Sequence, residues 1–200
     1  MKQPGGTLAL SHRITIKDSE GRVKEQGEWE RSRSFVANFL KILFTQYAQL
    51  NPGATVTRID GVGDSIWYSN DASAMTIWLV GSLGIAGDDD CGIVLGTDNT
   101  APTVNDYDLG TRITHGAGAG QLDFGPQSKT GAYSTGSNTD LILWRQFVNN
   151  SGGGITVEEI GVYVVHDRAS DKVMIIRDAK QFTIDDGDVA LVAYRFRTTV

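Results

Sequence analysis

Three histidines, one cysteine and two acidic clusters are the groups in this 200-residue sequence whose chemistry could serve a reaction or a metal. His12, His115 and His166 stand far apart. No His-Glu-x-x-His run or His-x-His pair brings two imidazoles to one zinc ion. A hydrolase serine would sit in a Gly-x-Ser-x-Gly turn, and none is present. Cys91 lies in a Gly/Asp turn, and a single cysteine makes neither an internal disulfide nor a cysteine-based zinc site. Gly116-Ala117-Gly118-Ala119-Gly120 has the look of a phosphate loop but lacks the Lys-Ser/Thr pair and a following helix, so it reads as a flexible turn. Asp88-Asp89-Asp90 and Asp185-Asp186-Gly187-Asp188 offer oxygens suited to a hard cation such as Ca²⁺. Neither follows an EF-hand loop, and Asp and Gly are also what turns use. The expectation is a chain without catalytic residues, without cofactor and without metal, and so not an enzyme.

The elements that would position any site are mostly strands. Glycine is abundant, with 24 residues against 4 prolines, and long helical patterns are few, which points to short strands joined by turns. Residues 7–17 alternate, with Leu8, Leu10, His12, Ile14 and Ile16 on one face. A turn at residues 18–21 returns the chain through residues 22–29, forming an N-terminal hairpin or arm. Residues 75–80 read as a buried strand, and short strands are expected at 93–95, 111–115 and 121–124. Strands are also expected at 141–149, 155–166, 172–177, a short one ending at Ile184, and 189–200, with turn residues between them. One amphipathic helix spans residues 34–50, carrying Phe35, Val36, Phe39, Leu40, Leu43, Phe44, Tyr47 and Leu50 as an apolar stripe. Ser32 or Ser34 would cap it and Asn51-Pro52-Gly53 would end it. It should pack on the sheet through Phe35, Phe39, Leu43 and Tyr47. The fold class is mainly β, a β-sandwich or barrel-like domain, with residues 1–200 forming a single unit. Residues 81–138 hold 12 of the glycines and form central loops, too poor in apolar residues to be held by their own domain alone.

Charge narrows the partners. The net charge is −6, which argues against a direct nucleic-acid role. Residues 1–50 carry 8 Lys/Arg against 5 Asp/Glu, and residues 51–200 carry 10 against 19, a polarity that would let copies meet head to tail. No apolar run approaches the ~20 residues that cross a bilayer, and Pro4-Gly5-Gly6 stands where a signal peptide would be apolar. Synthesis in the cytoplasm and no membrane partner are therefore expected. Aromatic anchors suited to an interface are Trp29, Trp67, Tyr68, Tyr107 and Tyr133, with Trp78 assigned to the core.

Three stretches carry a family resemblance. Residues 93–109, IVLGTDNTAPTVNDYDL, residues 147–163, FVNNSGGGITVEEIGVY, and residues 176–198, IRDAKQFTIDDGDVALVAYRFRT, occur in an order and spacing that resembles virion proteins of tailed phages. The resemblance implies an assembly role in a capsid decoration, neck or tail layer of the virion, in a homo-oligomer with other virion proteins, and no catalytic residues. The alternative is a carbohydrate- or receptor-binding β-module, since exposed Trp and Tyr among Asp/Asn loops also suit a glycan. A hydrolase with a dispersed active site is a third class, and it would need a cleft joining a histidine, a carboxylate and a nucleophile.

Overall fold

The computed structural model describes residues 7–32, 34–48, 53–65, 84–166 and 171–199. Among the described residues the chain is mainly β, with thirteen strands and one helix. The larger sheet contains β1 (Thr7–Lys17), β2 (Val23–Gln26), β3 (Glu30–Ser32), β7 (Asp123–Phe124), β8 (Ser128–Lys129), β9 (Tyr133–Thr135), β10 (Asn138–Val148) and β13 (Val189–Thr199). Its order is β2-β1-β13-β10-β7, with β3 also on β1 and β8 and β9 also on β10. The smaller sheet is β12-β11-β6, built from β6 (Gly92–Gly96), β11 (Ile155–His166) and β12 (Asp171–Ile184). A hairpin of β4 (Thr55–Thr57) and β5 (Gly63–Ser65) stands apart. The architecture is sandwich-like, and the sheets do not close into a barrel among the described residues.

Alternation sets the faces. On the large sheet, His12 pairs with Tyr194 and Tyr194 with Leu143, and all three are buried. Leu10, Ile14, Val192 and Phe147 share this inner face, two residues apart along their strands. On the small sheet, Ile160, Val162, Ile93, Leu95 and Ile176 are fully buried. Val157, Val164 and Val173 extend the same core. Burying a side chain of this size stabilises by roughly 1.5–3 kcal/mol, so this seam is the main source of cohesion.

Most of the expected strands are present, three of them nearly residue for residue: β1, β11 and β13. β12 runs on from residues 172–177 to Ile184 as one strand with register shifts against β11, where two shorter strands were expected. Residues 111–115 are not a strand: Arg112 and His115 make only isolated bridges, to Gly96 and Leu122. The strand expected at residues 75–80, with Trp78, lies outside the described residues.

The helix α1 spans Ala37–Tyr47, shorter than residues 34–50; Phe35 and Phe39 pack against the core as expected, but Leu43 does not. Phe35 is not helical but bridges Ile176, and it stacks on Phe39 with centroids 4.0 Å apart. The inward row is Asn38, Ile42 and Thr45, while Leu40, Leu43 and Phe44 face solvent at 62, 45 and 57% exposure. Asn38 explains the inward row. Its Nδ2 donates to the carbonyls of Thr57 and Met174 and its Oδ1 accepts from Thr57 N, which locks the buried amide between β4 and β12. Ser32 and Ser34 do not cap the helix, because both hydroxyls donate to Asp178 instead. The side chain of Tyr47, and residues 49–52 with the expected stop, lie outside the described residues. No described helix is long and apolar enough to cross a membrane.

Candidate interface and the buried polar clusters

The chemistry-bearing residues gather in three buried clusters, and each has a structural use for its charge. The first sits on the face of the small sheet away from the seam. Glu159, Gly161 and Tyr163 alternate along β11 and receive the loop of residues 97–111. Glu159 is fully buried and accepts hydrogen bonds from the Gly110 and Thr111 amides at 3.2 and 3.0 Å. The Arg177 guanidinium reaches Glu159 at 2.9 Å, Asp106 at 2.7 Å and Asp98 at 3.1 Å. Burial works against the Arg177 charge, but Asp106 and Glu159 hold it more firmly protonated than usual. The Tyr163 hydroxyl donates to Asp108 at 2.6 Å and accepts from the Leu109 amide at 2.9 Å. Burial, with Asp108 beside it, pushes that hydroxyl far above the ordinary phenol range. Gly161 leaves room for Leu109, since a Cβ there would meet Leu109 Cδ2 at 3.1 Å and Tyr163 Cε2 at 2.7 Å.

The second cluster is Arg145, fully buried on the inner face of β10 and without a carboxylate partner among the described residues. It donates to five carbonyls, those of Ile85, Asp88, Cys91, Ile93 and Gly125, at 2.6–3.0 Å. Its guanidinium stacks near the Phe124 and Phe147 rings at 5.0 and 5.8 Å. One planar fork therefore fixes the Gly-rich segment that looked unable to hold itself. Polar anchors supply what apolar content does not. The hairpin around residues 131–137 is the exception and is exposed throughout.

The third cluster surrounds Asp178, which accepts from Ser32, Ser34 and Tyr194. His12 lies beside it, 95% buried by its 5% exposure, and neither ring nitrogen has a hydrogen-bond partner. Asp178 and Glu30 are each 3.8 Å away, and a cavity of about 80 Å³ lined by His12, Glu30 and Lys180 opens next to it.

None of these arrangements forms a reaction centre among the described residues. His115 accepts from the Phe124 amide and stands 3.6 Å from Asp123, with no nucleophile beside it. The side chain of His166 lies outside the described residues. Burial pushes the Cys91 thiol up to about 12, so at neutral pH it is a protonated, inert core group. Asp88 is raised to about 6, first by burial and then by its hydrogen bond to Asp90. Asp90 in turn pairs with Lys172 at 2.9 Å, and Asp89 accepts from the His115 amide at 2.7 Å. The acidic turn before β13 is tied down too: Lys24 bridges Asp185 and Asp188, and Asp186 accepts from the Gly152 amide. Among the described residues no three His, Cys, Asp or Glu side chains are arranged to hold a metal ion. Gly116–Gly120 is a turn closed by Gln121, whose side chain accepts from the Gly118 amide.

Of the aromatic interface candidates, Tyr107 and Tyr133 are exposed at 42 and 41%. Trp29 is half-buried over the large sheet. Trp67 and Tyr68 lie outside the described residues. An exposed apolar surface is the helix row Leu40, Leu43 and Phe44, of which Leu43 was expected to face the sheet. Val104, 61% exposed, sits beside the helix start, where its carbonyl accepts from the Ala37 amide. No family model matches this chain, and neither a curated protein nor a solved structure does.

Proposed function

We propose that the chain is a non-enzymatic structural subunit of a virion, synthesised in a host cytoplasm and assembled with copies of itself and with other virion proteins. The observation that carries this reading is the helix row Leu40, Leu43 and Phe44, each about half exposed or more, adjoining Val104. An apolar patch of this kind on a folded domain is the mark of a surface that another protein covers. The stretches that resemble tailed-phage virion proteins support the same reading in a second way. Asp98, Asp106 and Leu109 of the first, Glu159, Gly161 and Tyr163 of the second, and Arg177 of the third meet in one buried strut that holds a loop in place, a use of charge directed at architecture.

Sedimentation and negative-stain microscopy of the purified chain test the proposal. Discrete symmetric assemblies are expected, and Leu43→Ser with Phe44→Ser should weaken them while leaving the melting temperature within a few degrees, since both side chains are exposed. A wild-type chain that stays monomeric at all concentrations and gives specific hits on a glycan array would establish the carbohydrate-binding alternative instead, for which the exposed Tyr107 and Tyr133 would be the first residues to replace.

A further inference from the structure

On the outer face of the large sheet three arginines gather that no carboxylate among the described residues pairs with. Ser11 pairs with Arg31 on one side and with Arg195 on the other, and Arg13 lies two residues along β1 on the same face. Three guanidinium groups thus surround one small buried serine. Trp29 lies across two of them, its ring centre 4.7 Å from the Arg13 and 4.4 Å from the Arg195 guanidinium carbon. Arg195 Nε donates to Ser11 Oγ at 3.3 Å. Beyond that bond, none of Arg13, Arg31 and Arg195 has an ion-pair partner among the described residues.

This is unlike the other arginines among the described residues. Arg22, Arg112, Arg177 and Arg197 each pair with a carboxylate, and Arg145 satisfies its donors on carbonyls. Arg195 is held below the usual arginine range, first by burial and then by repulsion from Arg197, which the Asp140 carboxylate partly offsets and Arg13 reinforces. Like charges have been brought together on a chain whose net charge is −6, although that chain has carboxylates to spare. Trp29 holds the Arg13 and Arg195 guanidinium groups at 4.7 and 4.4 Å from its ring centre, and, Arg195 Nε on Ser11 apart, their N–H groups engage no carboxylate among the described residues. Those groups are the donors that take a carboxylate in a forked, two-bond contact.

We infer that Arg13, Arg31 and Arg195, ordered by Trp29, form a carboxylate-recognition face that docks the acidic surface of a second copy of this chain. The inference rests on the proposed self-assembling role and names one of its contacts. Charge complementarity selects the occupant. With these three arginines grouped on one face, the remainder of the chain is more acidic than the whole, and Asp186, in the acidic turn before β13, is exposed with no ion-pair partner among the described residues. A face of one sign meeting a body of the other generates a head-to-tail contact, which closes into a ring when the rotation permits. Desolvated Arg and Trp at such a contact are the residue types that dominate interface energetics.

Sedimentation equilibrium of the wild-type chain in salt on the order of 0.1 M and of 1 M, where the screening length falls from about 10 Å to 3 Å, is the direct test. Association should weaken at the higher salt. Arg13→Glu with Arg195→Glu should weaken it at least tenfold at the lower salt. Arg31→Glu, at an exposed position away from the Trp29 stack, should give a smaller loss in the same direction, and it preserves the test if the double variant melts early. Variants that fold and assemble as the wild type does at both salts would overturn the inference and leave the structural-subunit reading standing. A wild-type chain that does not self-associate would overturn both. A monomer retained on a heparin column through these arginines would overturn the inference in favour of an external polyanion.

Discussion

His12 is a buried imidazole with no hydrogen-bond partner, and its energetics follow from that position. Burial lowers its proton affinity, more than Asp178 and Glu30 raise it. The unfolded chain, with histidine near 6.5, therefore takes up a proton that the folded chain resists. The folded state is favoured above that value and loses stability as pH falls through and below it. His12→Phe removes the titration and fills the same space against Tyr194, whose ring centroid is 5.9 Å away. The variant should melt at or above the wild-type temperature at neutral pH, and its melting curve should fall less steeply between about pH 6.5 and 5. Thermal melts across that range check it, and an unchanged pH slope would show that His12 does not carry the dependence. A partner-free histidine was not legible in the sequence. The alternation of residues 7–17 places His12 on the inner face, but the missing hydrogen bonds depend on Asp178, far along the chain, already being engaged by Ser32, Ser34 and Tyr194.

Strands and loops show the same division between what local pattern reveals and what it hides. β1 and β13 could be read because each alternates over eleven residues, and β10 and β11 because each is a long run rich in apolar residues bounded by turn residues. The helix could be placed but only partly oriented. Its apolar residues form a wide stripe, and the choice of inward face is made by Asn38, a polar residue whose partners are at Thr57 and Met174. Arg145 left a clear local sign, an arginine in the inward register between Leu143 and Phe147, though not the identity of the five carbonyls it serves. Its removal should be costly. Arg145→Met leaves those carbonyls buried and unbonded, and a loss of about 3–5 kcal/mol is expected, with amide exchange rising first in residues 84–93. A variant melting within a degree or two of the wild type would mean that the loops are held by other contacts. Gly161→Ala should cost less, about 1–3 kcal/mol, because Leu109 and Tyr163 must shift to admit the new methyl group. Chemical denaturation gives both values, and faster exchange at the Leu109 amide would locate the second at the strut.

At the scale of the whole molecule, cohesion is uneven. Buried arginines anchor residues 84–111, but the hairpin of β9 with the start of β10 has all of residues 131–137 exposed. Gly136, at φ +60°, makes its turn. These residues should exchange rapidly in a free subunit and slowly in an assembly that covers them. Equal exchange in both states would remove the hairpin from any interface. The sheet order has a different consequence, for synthesis. β1 hydrogen-bonds along its whole length to β13, with Thr7 opposite Thr199 and Lys17 opposite Val189. β13 also lies between β1 and β10, so neither of those long strands has its central neighbour until residues 189–199 have been made. Translation delivers about 5–20 residues each second, so the inner faces of β1 and β10, with Leu10, Ile14, Leu143 and Phe147, wait seconds without a covering partner. The larger sheet closes in one late event, when residues 189–199 emerge. A ribosome stalled before that point would hold a nascent chain that is protease-sensitive throughout this sheet, and a chaperone that shields apolar strands would find its substrate there.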